Sequence, residues 1–255
     1  TIPMTNDGMD LDILERELKT ELPAFIYTMP NFQNPTGIST TQEHREKLIG
    51  LCEKYEIPLV EDAFEEEMKY FGKVSLPIKS MDSKKLVFYI GSFSKVLFPG
   101  VRLGWINANR ECIEKLSILK RFSDMGTASP EQAAVADFCQ RGEFELHIKR
   151  IHKIYRKRMQ FAVQLLKDKI SNKNIVWNEP NGGFIIWLKF ENTNFSYNEI
   201  ISIFESYNFR LTRGSDFFKD KHEGKFFRLS ISRLNEAEIE EGINLLANAI
   251  NQIYK

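Results

Sequence analysis

The stretch LVFYIGSFSKVLFPGVRLGWINA, residues 86–108, carries more information about the fold than any other part of the chain. Its β-branched and aromatic start predicts a strand, and a second apolar run, GWINA, ends it. Between the two lies a loop of small and apolar residues that contains one lysine, Lys95. A lysine rarely lies at the end of a buried strand, because its ammonium group needs solvation. We therefore expect Lys95 to have a chemical role.

Strands and helices alternate around this stretch. AFIYTMP at residues 24–30 and IPLVE at residues 57–61 are apolar runs typical of strands, and the segment between them has the 3.6-residue period of a helix. Thr40 and Glu43 fit a T-x-x-E capping box at the start of that helix. Asp10 is expected to cap a shorter helix before it. The alternation predicts an α/β fold with a mostly parallel sheet and functional loops at the carboxyl ends of its strands.

The second half of the chain has a different pattern. Ser129 and Pro130 are expected to start a helix as cap and first-turn proline, and Gly142 to end it. A long amphipathic helix over residues 144–166 follows, and then strands and helices in the order typical of a compact α+β unit. We expect two domains, a large one over residues 1–145 and a small one over residues 146–255.

Composition excludes several classes of protein. The 255 residues carry 35 basic and 35 acidic side chains, so charge gives no general attraction to nucleic acid or anionic lipid. No apolar run approaches the roughly 20 residues of a membrane span, and no signal peptide opens the chain. Cys52, Cys112 and Cys139 are far apart and form no CxxC motif, which predicts reduced core thiols in a cytoplasmic protein.

Several polar side chains lie at predicted strand ends or in loops, and one arginine lies within an apolar strand. Taken singly, each has an ordinary structural explanation as a turn residue, a helix cap or half of an ion pair. The set consists of Asn34, Asp62, Ser92, Ser94, Lys95, Arg102 and Arg228.

Together these residue types suit one kind of chemistry. A lysine among apolar groups is expected to be poorly solvated and to act as an amine nucleophile toward a carbonyl. Hydroxyls and an arginine beside it can bind a phosphate, and a carboxylate can pair with a protonated pyridine nitrogen. A second arginine can take an amino acid's carboxylate. This combination is what pyridoxal phosphate requires of a protein.

Residues 92–104, SFSKVLFPGVRLG, resemble the cofactor-lysine signature of the class I and II aminotransferases of pyridoxal phosphate fold type I. MPNFQNPTG, EDAF and FFRLSIS occur in the order typical of that family, and the resemblance covers nearly the whole chain. It implies a large domain with a mostly parallel sheet, a small C-terminal α+β domain, and a homodimer.

The resemblance also implies a role for each candidate residue. Lys95 would form a Schiff base with pyridoxal phosphate and move the proton during amino transfer between an L-amino acid and a 2-oxo acid. Asp62 would pair with the pyridine nitrogen, and Asn34 would hydrogen-bond the cofactor's O3′. Arg228 would bind the substrate carboxylate, with residues 182–184 and 214–218 nearby. The phosphate would be held by Ser92, Ser94 and Arg102.

Two features depart from the family pattern. Phe64 stands where the family commonly has a tyrosine that donates to O3′. The family's glycine-containing phosphate loop and the aromatic residue that stacks on the ring normally precede these motifs, and nothing before Asn34 resembles either. We therefore expect a chain truncated at its N-terminus, with weak cofactor binding or none.

Other stretches, among them ADFCQRGEFELHIKRIHKIYRKRM, are similar to the C-terminal domain of MocR-type regulators of the GntR family. In those proteins a winged helix precedes an aminotransferase-like domain. The alternative to an aminotransferase is therefore an effector-sensing domain, with DNA bound only through a winged-helix domain outside this chain. FQNPTG retains the asparagine of working aminotransferases, which leaves both alternatives open.

Direct nucleic-acid binding and metal binding are less favoured. The basic residues at 149–158 lie on a predicted amphipathic helix and suit a solvated face opposite its apolar stripe. His44, His147, His152 and His222 lack metal-ligand spacing, and the acidic run at residues 65–67 is not a cation-binding loop. We expect no metal.

Overall fold

A computed structural model of the chain describes residues 1–64, 66–124, 126–219 and 224–255. It contains two compact units: unit 1 comprises Thr1–Asn31 and Ile38–His152, and unit 2 comprises Phe32–Gly37 and Lys153–Lys255. The domain boundary expected near residue 145 stays a prediction. Glu65 and His222, considered above for cation binding, lie outside the described residues.

Unit 1 is an α/β unit whose main sheet has the strand order β3 (Ile26–Thr28), β4 (Leu59–Asp62), β5 (Val87–Ser92) and β6 (Gly104–Asn107). The first three of these strands are parallel, and β6 pairs antiparallel with β5. The helix α3 has no counterpart among the sequence predictions. The elements are β1 (Met4–Thr5), β2 (Gly8–Met9), α1 (Leu11–Leu18), β3 (Ile26–Thr28), α2 (Gln42–Tyr55), β4 (Leu59–Asp62), β5 (Val87–Ser92), β6 (Gly104–Asn107), α3 (Arg110–Asp124), α4 (Ser129–Gln140) and the start of α5 (Glu143–Lys169).

The two faces of the unit 1 sheet differ in burial. Ile26, Leu59 and Val87 occupy matching positions on adjacent strands and pack with apolar residues of α1 and α2 in one core. The alternate positions, Tyr27 and Asp62 among them, are only partly buried or exposed. Successive side chains of a strand point to opposite faces, so the parallel register gives the sheet one packed face and one accessible face. The carboxyl ends of β3, β4 and β5 meet at one edge, as expected from the sequence.

Two helix caps differ from the sequence predictions. The N-cap of α2 is Thr41, whose hydroxyl accepts from the backbone N–H of His44 at 3.2 Å. Thr40, the predicted cap, is buried and donates its hydroxyl to the carbonyl of Pro30 instead. The N-cap of α4 is Ala128 rather than Ser129, and no side chain caps that end. Tertiary contacts and one-residue shifts of a helix start therefore override the local capping pattern.

Arg45 is a buried cation under the end of β3. It is 1% exposed, and its guanidinium donates to the carbonyls of Pro30 and Leu76 at 3.0 Å. It also donates to Oδ1 of Asn31 at 2.7 Å and to the hydroxyl of Thr40 at 3.0 Å. Because a buried charge is tolerated only when its donors are satisfied, this network fixes the chain that leaves β3.

Unit 2 contains an antiparallel sheet packed against helices, with the strand order β7 (Ile175–Trp177), β8 (Ile185–Phe190), β10 (Lys225–Ser230) and β9 (Thr212–Arg213). Arg228 lies on β10, opposite Trp187 of β8 and Thr212 of β9. Ile186, Leu188 and Phe227 are fully buried on the helix-covered face. The α+β character expected for the C-terminal part is thus confirmed. Its elements are the rest of α5, β7 (Ile175–Trp177), β8 (Ile185–Phe190), α6 (Tyr197–Ser206), β9 (Thr212–Arg213), β10 (Lys225–Ser230) and α7 (Glu236–Ile253).

The cysteines lie in different environments. All three are free, but only Cys52 is buried, in the core of unit 1. Cys112 on α3 and Cys139 on α4 are partly exposed, so their predicted place in a core is wrong. Neither α3 nor α4, both described throughout, contains a buried residue, although both helices include apolar side chains. Within the described residues, no helix combines the length and apolar character needed to cross a membrane.

Candidate active site

The loop that follows β5 holds Lys95 at the carboxyl end of the parallel strands. The buried side chains of Val96, Val101 and Leu103 anchor the loop. The backbone N–H of Phe93 donates to the carbonyl of Leu103 at 3.0 Å and joins its two ends. The side chain of Lys95 is exposed. The expectation that this lysine is shielded from water is therefore wrong, because the buried apolar residues of the loop, Val96, Val101 and Leu103, leave it uncovered.

The three predicted phosphate ligands lie together in this loop. The backbone N–H of Ser94 donates to the hydroxyl of Ser92 at 3.2 Å, and Nη1 of Arg102 donates to the hydroxyl of Ser94 at 3.4 Å. Arg102 adopts a left-handed conformation with φ +47°, which non-glycine residues rarely adopt. Hydroxyls and a guanidinium grouped in this way form a cluster of donors suited to an anion.

His147 braces the same loop from α5. Its Nε2 lies 2.7 Å from the carbonyl oxygen of Val96, the residue after Lys95. A carbonyl only accepts, so this nitrogen carries the proton and donates. Phe144, one turn earlier on α5, packs edge-to-face on Phe93 with ring centroids 5.6 Å apart. The sequence pattern did not single out this role of His147, because the contact spans 51 positions.

Asp62 ends β4 on the accessible face of the sheet. The hydroxyl of Tyr27 on β3 donates to its Oδ2 at 2.6 Å. Tyr27 pairs with Val60 in the parallel register, so its side chain shares a face with Asp62, two residues further along β4. Phe64, two residues beyond Asp62, is partly buried and offers no hydroxyl. Tyr27 was not among the sequence candidates, since nothing local marks it as a partner of Asp62.

In unit 2, Arg228 and Asn34 form a pair. Nη1 of Arg228 donates to Oδ1 of Asn34 at 2.6 Å, and Nη2 lies 3.4 Å from the hydroxyl of Thr212. The guanidinium carbon lies 5.1 Å from the ring centroid of Phe217, within the predicted 214–218 segment. Nε of Arg228 is buried and has no hydrogen-bond partner within the described ranges. The guanidinium has five N–H groups and uses two of them toward Asn34 and Thr212, so this arginine keeps donor capacity for a ligand.

The turn that carries Asn34 is fixed within unit 2. Gly37 has φ +69°, and a Cβ there would lie 3.0 Å from the carbonyl oxygen of Ile185, so any other residue would be strained at this position. Nδ2 of Asn178 donates to the carbonyl of Thr36 at 2.9 Å. The Asn-Pro-Thr-Gly turn is thus held at both of its last residues. Of the residues in the other predicted substrate segment, Phe184 is buried and packs on Tyr155.

The structure thus groups the candidates into two sets. Unit 1 contains the lysine, the carboxylate and the three phosphate donors, and unit 2 contains Asn34 and Arg228. Most of the basic residues at 149–158 are exposed, and Lys157 forms an ion pair with Glu236 at 2.9 Å. Across the described residues, no group of three or more His, Cys, Asp or Glu side chains is placed to hold a metal ion.

Comparison with known proteins defines the class of this chain. A family model for aminotransferases of class I and II matches residues 1–246. The chain belongs to the class I and II aminotransferase family, which confirms the resemblance seen in residues 92–104. The family and a ligand-bound relative imply pyridoxal phosphate as the cofactor.

Individual relatives include both enzymes and regulators. Aromatic-amino-acid aminotransferase 1 of Thermococcus litoralis is 30% identical, matched over 100% of this chain and 62% of its own length. YdfD of Bacillus subtilis, an uncharacterized HTH-type transcriptional regulator, is 30% identical over 99% of this chain and 52% of its own length.

A solved structure confirms the predicted fold class. LysN, the alpha-aminoadipate aminotransferase of Thermus thermophilus, superposes with a TM-score of 0.93 at 29% identity, covering 100% of this chain and 65% of that one. It was crystallised with N-(5'-phosphopyridoxyl)-L-leucine. The chain spans less than two thirds of the length of each of these three relatives.

Proposed function

We propose that this chain carries the site of a pyridoxal-phosphate-dependent aminotransferase, which moves an amino group between an L-amino acid and a 2-oxo acid. The observation that carries the proposal is the loop after β5. There an exposed lysine amine lies in the same loop as the donor cluster of Ser92, Ser94 and Arg102. Membership of the aminotransferase family supports this assignment.

The chemistry of the available groups fits the cofactor. Its aldehyde, its pyridine nitrogen and its phosphate call for an amine, a carboxylate and a set of anion donors. Lys95, Asp62 and the donor cluster supply these in turn. When bound, pyridoxal phosphate supplies an electron-accepting ring that stabilises negative charge on the α-carbon of an amino acid.

Lys95 and Asp62 would act on different ends of the ring. The exposed amine of Lys95 is accessible to bind the cofactor covalently, and once released it can hold or return a proton as a general base or acid. The carboxylate of Asp62 would accept a hydrogen bond from the protonated ring nitrogen and favour that protonated form by its charge. The orientation of this carboxylate is set by Tyr27.

Arg228 would bind the α-carboxylate of the amino acid. A guanidinium presents its donors as a planar fork that matches a carboxylate, and the five N–H groups of Arg228 exceed the two used toward Asn34 and Thr212. Oδ1 of Asn34 accepts from Arg228, which leaves the amide nitrogen of Asn34 as its free donor group. The family resemblance assigns that donor to the O3′ oxygen. Phe64 cannot add the second donor that a tyrosine would supply.

The alternative function is sensing. The match to YdfD supports an effector-sensing domain of a MocR-type regulator, in which the same lysine detects a ligand without sustained turnover. An aminotransferase converts amino acid and oxo acid repeatedly, whereas a sensor domain binds one equivalent and stops. Turnover therefore distinguishes the two.

The first experiment is a visible-absorbance titration of the chain with pyridoxal phosphate, followed by borohydride reduction and peptide mass mapping. We expect weak but saturable binding and one labelled peptide containing Lys95, with Lys95→Ala unlabelled and the exposed control Lys115→Ala labelled as the wild type. An absence of saturable binding, or a label on another lysine, contradicts the assignment. Multiple turnovers with amino acid and oxo acid would then support the enzyme over the sensor.

We further propose that the protein works as a homodimer in the cytoplasm on an amino acid and its oxo acid. Family membership supports the dimer and the substrate class. Sedimentation equilibrium of the chain at micromolar concentration tests the dimer: a mass near twice 29.8 kDa is expected, and a monomer at all concentrations contradicts it.

A further inference from the structure

The Tyr27–Asp62 hydrogen bond joins neighbouring strands on the accessible face of the unit 1 sheet. The distance from the phenolic oxygen to Oδ2 is 2.6 Å, short even for a hydroxyl donating to a carboxylate. Within the described ranges, Tyr27 is the hydrogen-bond partner of the Asp62 side chain. The bond is therefore the direct restraint on how this carboxylate is turned.

The donor remains protonated under ordinary conditions. Partial burial raises the pKa of Tyr27, and the hydrogen bond and negative charge of Asp62 raise the pKa further. A phenol with a raised pKa keeps its proton throughout the neutral range and can only donate to a carboxylate. Tyr27 is 48% exposed, so its ring contributes little to the core, and its hydroxyl is the part with a specific contact.

We propose that Tyr27 is a positioning residue for the cofactor: by holding Oδ2 of Asp62 it fixes that side chain and leaves Oδ1 to accept from the protonated ring nitrogen. A carboxylate free to rotate loses part of its interaction to side-chain entropy each time it binds. A restrained carboxylate is already oriented and binds the ring nitrogen more tightly. This inference rests on the proposed function, because it assumes that pyridoxal phosphate binds at Asp62.

The proposal makes a prediction that a merely structural contact does not make. If Tyr27 acts through Asp62 on the ring nitrogen, its loss weakens only a cofactor that has this nitrogen. 1-Deazapyridoxal phosphate, in which a carbon replaces the nitrogen, keeps the aldehyde and the phosphate. A structural role would weaken both molecules equally, since each needs the same fold.

The test measures dissociation constants for both molecules by quenching of tryptophan fluorescence, with the wild type, Tyr27→Phe and the control Tyr89→Phe. Tyr89 lies on β5 of the same sheet and donates to Glu66, so the control loses the same kind of bond away from Asp62. We expect Tyr27→Phe to raise the dissociation constant for pyridoxal phosphate roughly fivefold to tenfold, the range for immobilising one side chain on binding. Its affinity for the deaza compound stays within about twofold of the wild type, and Tyr89→Phe changes neither constant.

Each other result counts against the inference. Equal losses for both molecules, or no loss for either, overturn the positioning role while leaving the proposed function intact. A wild-type chain that binds neither molecule overturns the proposed function, and the inference with it.

A measurement without cofactor tests the bond itself. The ¹³Cζ resonance of Tyr27 is followed by NMR as pH rises, in the wild type and in Asp62→Asn. Removing the charge is expected to let Tyr27 ionise at lower pH, because the carboxylate raises its pKa. An unchanged titration would show that the bond is not formed in solution, which overturns the inference.

Discussion

Arg228 donates from Nη1 to Oδ1 of Asn34 across 2.6 Å, although the two residues are 194 positions apart in the chain. Both belong to unit 2, because Phe32–Gly37 is part of that unit while the segments on either side belong to unit 1. The hydrogen bond therefore joins the first and the last of the candidate site residues along the chain. A change in either residue is expected to disturb the other.

Arg228→Lys is expected to lower kcat/KM for the amino acid by about tenfold to a hundredfold, because lysine cannot form the planar fork that grips a carboxylate. Most of the loss should appear in KM, which reports binding of the carboxylate in both ground and transition states. Steady-state kinetics with varied amino acid check this result. Arg210→Lys, on the same unit but exposed and paired with Glu205, serves as the control and should change neither parameter.

At position 102, glycine is expected to give a more stable protein than alanine, the reverse of the usual order. The φ of +47° there strains any residue with a Cβ, so Arg102→Gly should be more stable than Arg102→Ala by about 1 kcal/mol. Both variants lose the guanidinium beside Ser94 and should weaken phosphate binding alike. Denaturant unfolding measures the stability difference, and inhibition by inorganic phosphate measures the binding. If alanine proves the more stable variant, the left-handed backbone is not present in solution.

His147→Ala is expected to loosen the loop that carries Lys95, because it removes the donor to the Val96 carbonyl. The backbone N–H of Leu97, which donates to Phe93 at 2.8 Å within the loop, should then exchange with solvent several-fold faster. Hydrogen exchange read by NMR gives this rate. His147→Gln, which keeps a side-chain donor, should restore part of the protection, and equal exchange in all three proteins would argue against the brace.

Cys52 is expected to resist alkylation in the folded chain. Burial raises the pKa of its thiol to about 12, so the reactive thiolate is scarce at pH 8 and increases about tenfold for each pH unit below that value. Iodoacetamide at pH 8 should modify the partly exposed Cys112 and Cys139 first, and Cys52 only after unfolding. Mass spectrometry of digested samples follows each site. Modification of all three at one rate would contradict the buried position of Cys52.

Local patterns in the sequence predict most of the elements correctly. The runs around residues 26, 59 and 87 form parallel strands, and Asp10 caps α1 as predicted. The motif at residues 92–104 points to the family that the comparison confirms. These features depend on spacings of two to four residues, which the chain specifies directly.

Predictions that need distant neighbours are the ones that fail. Thr40 looks like a cap, yet the carbonyl of Pro30 takes its hydroxyl, and Thr41 caps the helix instead. Lys95 looks buried from the apolar residues around it, yet its side chain is exposed. In both cases the sequence shows which groups are present. It does not show how distant parts of the chain pack around them.

The amino-acid sequence alone gives the family, the order of strands and helices, and the residue types needed for pyridoxal phosphate chemistry. The folded chain adds the pairs: Tyr27 with Asp62, His147 with the carbonyl of Val96, and Arg228 with Asn34. Hydrophobic periodicity depends only on residues close together in the sequence, so it can be recognised without knowing the tertiary contacts. Strand register and helix packing are set by contacts between residues far apart, and they bring each of these pairs within hydrogen-bonding distance.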